Sequence, residues 1–334
     1  MSGETILVVG GAGYIGSHMV LDLLQSGYEV IVLDNLSRGH RDLLSGGTFI
    51  EGDLGDARLL DSIFSQRRIA AVMHFAAFSL VGESVSKPLD YYRNNVAKTV
   101  ELLAAMARHK VRHFIFSSTA AVYGEPRAMA PLQENSPCLP TNPYGATKLT
   151  VERMLSDNAA AGDFRYVSLR YFNAAGADPS GRLGERHEPE THLIPLVLKV
   201  ATGERRDIQI FGTDYSTQDG TCIRDYVHVC DLTQAHLLAL EHLLAGGSSA
   251  VYNLGNNKGH SVREVVETAR RITKHAIPVI EAGRRPGDPA FLVAESAKIR
   301  HELGWQPRYE DLAAIIETAW VWHCQEATRD TCSR

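Results

Sequence analysis

The stretch Val9-Gly10-Gly11-Ala12-Gly13-Tyr14-Ile15-Gly16 constrains this chain more than any other part of it. It follows a short β-branched run, Thr5 to Val9, and opens an amphipathic stretch from Ile15 to Ser26 that Gly27 stops. Two glycine spacings fit it, Gly11-x-Gly13-x-x-Gly16 and Gly10-x-x-Gly13-x-x-Gly16. Glycine at such positions permits the tight turn, the close approach of backbone to a pyrophosphate and the packing of helix on strand. The helix start adds free N–H groups and a partial positive charge. Glu29 to Leu33 reads as a second strand, and Asp34 follows it, about 20 residues beyond the loop. A carboxylate there accepts hydrogen bonds from ribose hydroxyls and repels a 2′-phosphate. Arg38 lies nearby and pulls toward the phosphorylated cofactor, but Asp34 dominates. The expected ligand is NAD, held by Gly10, Gly13, Tyr14, Ile15, Gly16, Asp34 and Asn35. Gly52-Asp53-Leu54 ends the next apolar run, where Asp53 meets the adenine amino group with Leu54 beside it.

Further apolar runs follow at Thr48 to Ile50, Ala71 to Phe75, His113 to Ser117 and Tyr166 to Leu169. Helical patterns separate most of them, including Asn95 to His109 and Tyr144 to Ala161. Strand and helix alternating at this spacing predict an α/β fold, a doubly wound parallel-sheet Rossmann domain. After about Phe172 the pattern changes. Asn173 to His192 reads as a long loop, and helices at Leu193 to Thr202, Asp231 to Leu244, Ser261 to Thr273 and Leu312 to Glu326 then mix with short strands. The expected division is an NAD-binding Rossmann domain over 1–174 and a smaller C-terminal α+β substrate domain over 175–334. The segment 223–245 is expected to return to the first.

Composition narrows the partners. A hydrophobic share of 44% and a charged share of 22% are those of a soluble globular protein. A formal charge of −5, with only short basic clusters such as Arg205-Arg206 and Arg284-Arg285, argues against nucleic acid. Met1 to Thr5 is too polar for a signal peptide, and no apolar stretch approaches the ~20 residues that span a bilayer. The five cysteines are scattered with no C-x-x-C pair, as suits a reducing cytoplasm. The fourteen histidines form no H-x-x-x-H or mixed Cys/His cluster, so no metal is expected.

Asn142-Pro143-Tyr144-Gly145-Ala146-Thr147-Lys148 begins a helix, with proline in its favoured first turn. Tyr144 and Lys148 then stand at i and i+4 on one face. A tyrosine of pKa roughly 10 is a poor base at neutral pH. An ammonium one turn away, together with a positively charged nicotinamide ring, favours its phenolate. Upstream, Phe114 to Thr119 is a buried strand ending in hydroxyls, and Thr119 is placed to share a hydrogen bond with a reacting substrate oxygen. Tyr144, Lys148 and Thr119 form the expected catalytic group.

The set Gly10 to Gly16, His74-Phe75-Ala76-Ala77, Val81-Gly82-Glu83-Ser84, Asn94-Asn95-Val96, Phe116 to Gly124 and Tyr144 to Lys148 resembles the extended short-chain dehydrogenase/reductase family. Within it, the likeness is to the UDP-sugar 4-epimerases. The second half adds Arg170-Tyr171-Phe172-Asn173, Arg224 to Val229 and Arg285-Pro286-Gly287-Asp288, so the resemblance runs from about Ile6 to Trp322. It implies that Phe75, Ala76, Ala77, Asn94 and Ser117 line the cofactor, with Phe172 beside the nicotinamide. It also implies that Thr119, Tyr144, Asn173, His192, Leu193, Ile210, Phe211, Arg224, Arg285 and Asp288 hold the nucleotide-sugar. Two arginines suit a diphosphate, Asp288 suits ribose hydroxyls, and Phe211 suits uracil. Ser79 stands where some members carry a lysine near the cofactor phosphates. Leu292, at the position that gates N-acetylated sugars, is neither bulky nor small. A homodimer is implied as well.

Three activities compete on this frame. Epimerisation at C4, of UDP-glucose and UDP-galactose first and of UDP-N-acetylglucosamine or UDP-xylose/arabinose otherwise, needs only a base, a resident NAD and room for the 4-keto sugar to turn. Elimination of water needs an acid/base pair directly after the strand-end threonine, and Ala120 and Ala121 cannot transfer protons. A reductase would favour NADP, against Asp34.

Overall fold

Thr5–Val9 (β1) is five residues long and buried throughout. Its side chains alternate between two cores, Ile6 and Val8 entering one and Leu7 and Val9 the other. A strand buried on both faces belongs inside a parallel sheet covered by helices, and the computed structural model places it there. The structure describes residues 3–332 apart from 127 and 286, so Pro286 of the Arg285 to Asp288 motif lies outside the described residues.

The next strands are Glu29–Asp34 (β2), Thr48–Glu51 (β3), Ile69–His74 (β4), His113–Thr119 (β5) and Arg165–Tyr171 (β6). After them come Asn173–Ala175 (β7), Ile208–Phe211 (β8), Ile223–His228 (β9), Ala250–Leu254 (β10), Gly259–Ser261 (β11), Val279–Ala282 (β12) and Phe291–Leu292 (β13). A seven-stranded sheet runs in the order β10-β6-β5-β4-β1-β2-β3 with every pair parallel. The order reverses between β1 and β4. In open sheets of this kind the crevice beyond the strand ends at that reversal is where ligands sit.

The helices of the first half are Tyr14–Gln25 (α1), Ala57–Gln66 (α2), Val81–Ser86 (α3), Pro88–Tyr91 (α4), Lys98–Arg108 (α5) and Pro143–Ala161 (α6). Those of the second are Leu193–Ala201 (α7), Val229–Leu244 (α8), Val262–Thr273 (α9), Ala297–Leu303 (α10) and Leu312–Cys332 (α11). One face of the large sheet is covered by α1 and α8, through Met19, Val20, Leu232 and Leu240. The other is covered by α2, α5 and α6, through Ile63, Leu102 and Val151. A third core joins α7, α9 and α11 through Val197, Val265 and Ile316. Beside it, β9 pairs with β7, β11 and β13, while β8 pairs with β12.

Three local features differ from the sequence reading. The helix expected from Asn95 begins at Lys98, because Tyr92–Ala97 forms a π-helical turn. That turn lets the Asn95 amide clamp the backbone of Phe78, accepting from its N–H at 2.8 Å and donating to its carbonyl at 3.0 Å. The loop expected from Asn173 opens with β7, held in register by β9. Finally, α8 lies on the large sheet, β9 before it stays in the small one, and β10 after it adds the seventh strand.

Candidate active site

The glycine loop bends where β1 ends. Gly10 sits at φ +79°, and a Cβ there would lie 2.4 Å from the Ala76 nitrogen. At Gly16 a Cβ would lie 2.2 Å from the Gly10 carbonyl oxygen. Both obstacles are backbone, so only glycine lets loop, helix and β4 meet this closely. Gly13 is the N-cap of α1 and no side chain caps that helix, which leaves its first N–H groups free for an anion. Gly16→Ala is therefore expected to lower retained NAD at least tenfold, equivalent to about 1.4 kcal/mol of binding. The measurement is nucleotide released from purified protein by acid; unchanged content would mean that the loop yields without loss.

Asp34 ends β2 and is fixed from both sides: one oxygen accepts the Ala12 N–H at 2.9 Å and the other the Leu36 N–H at 2.8 Å. Burial pushes its carboxyl up, and those two N–H bonds oppose the shift. Arg38 does not stand free to meet a phosphate. Its guanidinium donates to the Glu188 carbonyl at 2.8 Å and pairs with Glu83 at 3.3 Å. Asp53 accepts from Asn35 at 2.9 Å and from Lys98 at 2.6 Å, one oxygen carrying both bonds. These choices favour the cofactor without a 2′-phosphate.

At the other end of the crevice, Asn142 caps α6 by accepting the Gly145 N–H at 2.9 Å. This aims Tyr144 and Lys148 at the tip of β5. The Lys148 ammonium donates to the Ser117 carbonyl at 2.6 Å, and burial brings its pKa down to about 7. Burial pushes the Tyr144 phenol above its ordinary value, while its hydrogen bond with the Thr119 hydroxyl draws it down. The chain's own groups thus leave the phenol protonated. The lysine side chain alone does not produce the phenolate, because the two groups are desolvated together. Behind them, Glu152 accepts from Ser118 at 2.5 Å and from Arg170 at 2.6 Å in a buried pair. Thr119 caps the following turn by accepting the Ala121 N–H at 3.1 Å.

One cleft of about 390 Å³ joins both ends. It is lined by every residue assigned to the cofactor: Gly10, Gly13, Tyr14, Ile15, Gly16, Asp34, Asn35, Asp53, Leu54, Phe75, Ala76, Ala77, Ser79, Asn94, Ser117, Tyr144, Lys148 and Phe172. Thr119, Asn173 and His192 line it too. The remaining sugar-nucleotide residues do not. Arg224 pairs with Asp288 at 2.5 Å, the Asp288 N–H donates to the Arg285 carbonyl at 3.3 Å, and the Arg285 guanidinium lies 3.9 Å over the Phe211 ring. These four form a separate patch. Leu193 opens α7, and Ile210 on β8 is buried.

Three comparisons with known proteins bear on this geometry. The model of the NAD dependent epimerase/dehydratase family matches residues 6–255. The chain belongs to that family. It is 58% identical over 318 residues to the UDP-glucose 4-epimerase of Halalkalibacterium halodurans, covering 95% of each chain. A crystal structure of a UDP-glucose 4-epimerase superposes with a TM-score of 0.95 at 54% identity, over 97% of this chain and 98% of that one. The UDP-glucose 4-epimerase from Brucella ovis in complex with NAD superposes at 0.92 with 48% identity, over 95% and 97%.

Within this member of the epimerase/dehydratase family, the cleft also holds residues that sequence reasoning passed over. Tyr171 lines it, its hydroxyl bonded to Ser117. So do Lys98, Glu185 and His187. Glu185-x-His187 and Glu190-x-His192 repeat one spacing within eight residues, and the four side chains meet. A search for Cys-x-x-Cys and H-x-x-x-H does not register a carboxylate–imidazole set of this kind.

Proposed function

We propose that this chain is an NAD-dependent UDP-glucose 4-epimerase, interconverting UDP-glucose and UDP-galactose. The observation that carries the reading is the wall of the cleft around Tyr144. Its lining residues Ser117, Thr119, Tyr144, Lys148, Tyr171, Phe172 and Asn173 offer hydroxyls, an ammonium and an amide, but no carboxylate. Such a wall can move the proton of one sugar hydroxyl, and Ala120 and Ala121 directly after Thr119 supply no acid/base pair where elimination of water needs one. The glycine cradle, the bare start of α1 and Asp34 fit NAD, which when bound supplies the two-electron acceptor and donor for C4. Tyr144 takes the proton of the 4-hydroxyl and later returns it, with the Thr119 hydroxyl bonded to the same oxygen. Lys148, held on the Ser117 carbonyl, keeps positive charge beside the phenol. The Arg224, Arg285, Asp288 and Phe211 patch anchors the uridine diphosphate, and Asn173 and His192 reach the sugar side. For Arg224 to take a phosphate, the diphosphate must draw it away from Asp288. Leu292 packs against the cluster that contains Phe172, Leu132 and Ala294, and a leucine there, neither bulky nor small, leaves N-acetylated substrates as a second class.

The test is incubation of the purified protein with UDP-galactose and no added nucleotide. UDP-glucose should accumulate to equilibrium; if no 4-epimer of any UDP-sugar forms, the reading falls.

The same reading takes the chain as a homodimer. Among the described residues, nine large apolar side chains are exposed, and five of them, Val81, Val85, Leu89, Tyr92 and Val100, fall within twenty residues on α3, α4, the π-helical turn that follows and the start of α5. Clustering of this kind marks a contact surface. Leu89→Asp is expected to shift light-scattering mass from dimer to monomer; a monomeric parent protein would remove the assignment. A cytoplasmic location fits the free cysteines Cys138, Cys222, Cys230 and Cys324. No helix among the described residues is long and apolar enough to cross a membrane.

A further inference from the structure

The segment between β7 and α7 carries a group of side chains of which the epimerase reading uses only His192, on its cleft side. The Glu185 carboxylate lies 2.7 Å from Nδ1 of His192 and 3.0 Å from Nδ1 of His187. Glu190 lies 3.1 Å from Nδ1 of His192 and 3.9 Å from Nδ1 of His187. The four donor atoms all lie within 4.8 Å of one another. Both imidazoles therefore turn the same nitrogen inward, toward two carboxylates that face each other.

The charge of this group needs an explanation. The side chains of Glu185 and Glu190 are only 7% and 4% exposed, and two buried carboxylates at this separation repel unless cations stand between them. Among the described residues, every ion pair that either carboxylate makes is to a histidine; no lysine or arginine joins. Two neutral imidazoles leave the pair of negative charges uncompensated. One divalent cation at the centre compensates both, and two nitrogens with two oxygens are a set that zinc accepts at roughly 2.0–2.2 Å in tetrahedral geometry. Supporting bonds of the kind that orient metal ligands are also present. The Glu190 carboxylate accepts the N–H groups of Thr191 and His192 at 2.7 and 2.8 Å, and His187 has the Tyr14 ring edge-on at 6.3 Å.

We propose that Glu185, His187, Glu190 and His192 bind one divalent transition-metal cation of the zinc class. The ligands span the turn before α7, and Glu185, His187 and His192 also line the cleft, so the cation ties down a wall of the cofactor site. With Nδ1 of His192 on the cation, its Nε2 stays free for the cleft. The donor set favours zinc over magnesium or calcium, which prefer oxygen alone.

The experiment uses untagged holoenzyme, stripped with EDTA, loaded with zinc sulfate, desalted and analysed for metal. One zinc per chain is expected, and cobalt(II) in its place should give the intense visible bands of a four-coordinate ion. His187→Ala with Glu190→Gln should lower zinc affinity more than ~100-fold, beyond the range that loss of a mere orienting partner produces. Far-ultraviolet dichroism and NAD content check that the variant is folded. If it is not, His187→Asn alone serves, with at least a tenfold loss expected. Wild-type protein that retains no zinc overturns the proposal, as does equal zinc in parent and variants; the four residues are then a proton-held network.

Discussion

Tyr144→Phe is expected to lower kcat about 10³-fold, within the range that general acid–base groups contribute, while NAD content stays that of the parent. The substitution removes one hydroxyl and keeps the ring that lines the cleft between Thr119 and Lys148. Nothing in the packing of α6 depends on that oxygen, so the fold and the dinucleotide cradle should be untouched. A 10³-fold loss corresponds to about 4 kcal/mol of transition-state stabilisation. Because burial holds the Tyr144 phenol up and lowers Lys148 to about 7, the phenolate has to be created by positive charge brought into the cleft. The variant has no group to ionise there. Steady-state conversion of UDP-galactose measures kcat, and acid release measures NAD. Turnover within tenfold of the parent would take the proton-transfer role from Tyr144.

Lowering the pH from 7 to 5 is expected to cost several kcal/mol of folding stability, even though no catalytic group is involved. His18, His74, His228 and His236 are at most 2% exposed. Burial lowers them, first of all by desolvation, to about 4, 3, 3 and 4. Nε2 of His18, Nδ1 of His74 and Nε2 of His236 have no hydrogen-bond partner to receive a new proton. An unfolded chain takes up protons at these rings near pH 6.5, whereas the folded chain refuses them down to the lowered values. The contribution of these four rings is therefore complete above about pH 6.5 and falls as pH drops toward 4, while Asp225, which burial pushes up to about 7, works with the opposite sign in this window and offsets part of it. Each ring contributes up to about 1.4 kcal/mol per pH unit across that window. Together the four weigh heavily against a typical total of roughly 5–15 kcal/mol. Urea unfolding at a series of pH values provides the check, with His236→Leu expected to remove about a quarter of the slope. A flat stability between pH 7 and 5 would show that these rings accept protons in the folded state.

How far the site can be read from sequence depends on how local its chemistry is. Gly10 to Gly16, Asp34 and Tyr144 to Lys148 each stand in a short window whose spacing has a mechanical reason, and the cleft collects all of them. The sheet is legible where strands hold apolar runs: Ile6 to Val9 in β1, Val30 to Leu33 in β2, Ile69 to Met73 in β4 and Phe114 to Phe116 in β5. Ala250–Leu254 is five residues after a glycine-rich turn, and only pairing with β6 makes it a strand. The π-helical turn at Tyr92–Ala97 keeps a helical pattern in sequence, so its shifted start shows only in the Asn95 bonds to Phe78. Arg224 and Asp288 read as separate ligand groups, yet though they stand 64 positions apart they are each other's partner. The two Glu-x-His pairs were visible as letters, but their meeting depends on the turn before α7.

The place of β10 has a consequence for how the protein is made. The sheet that carries the cleft takes its last strand from residues 250–254, paired along the free side of β6 from Val167 to Tyr171. During synthesis the first six strands leave the ribosome well before that partner does. Until it arrives, β6 presents an unpaired edge of the kind that recruits other strands. A chain cut after the first 174 residues keeps that open edge permanently. The cofactor half is consequently a poor candidate for an independent fragment, and translation of the last third completes the fold of the first.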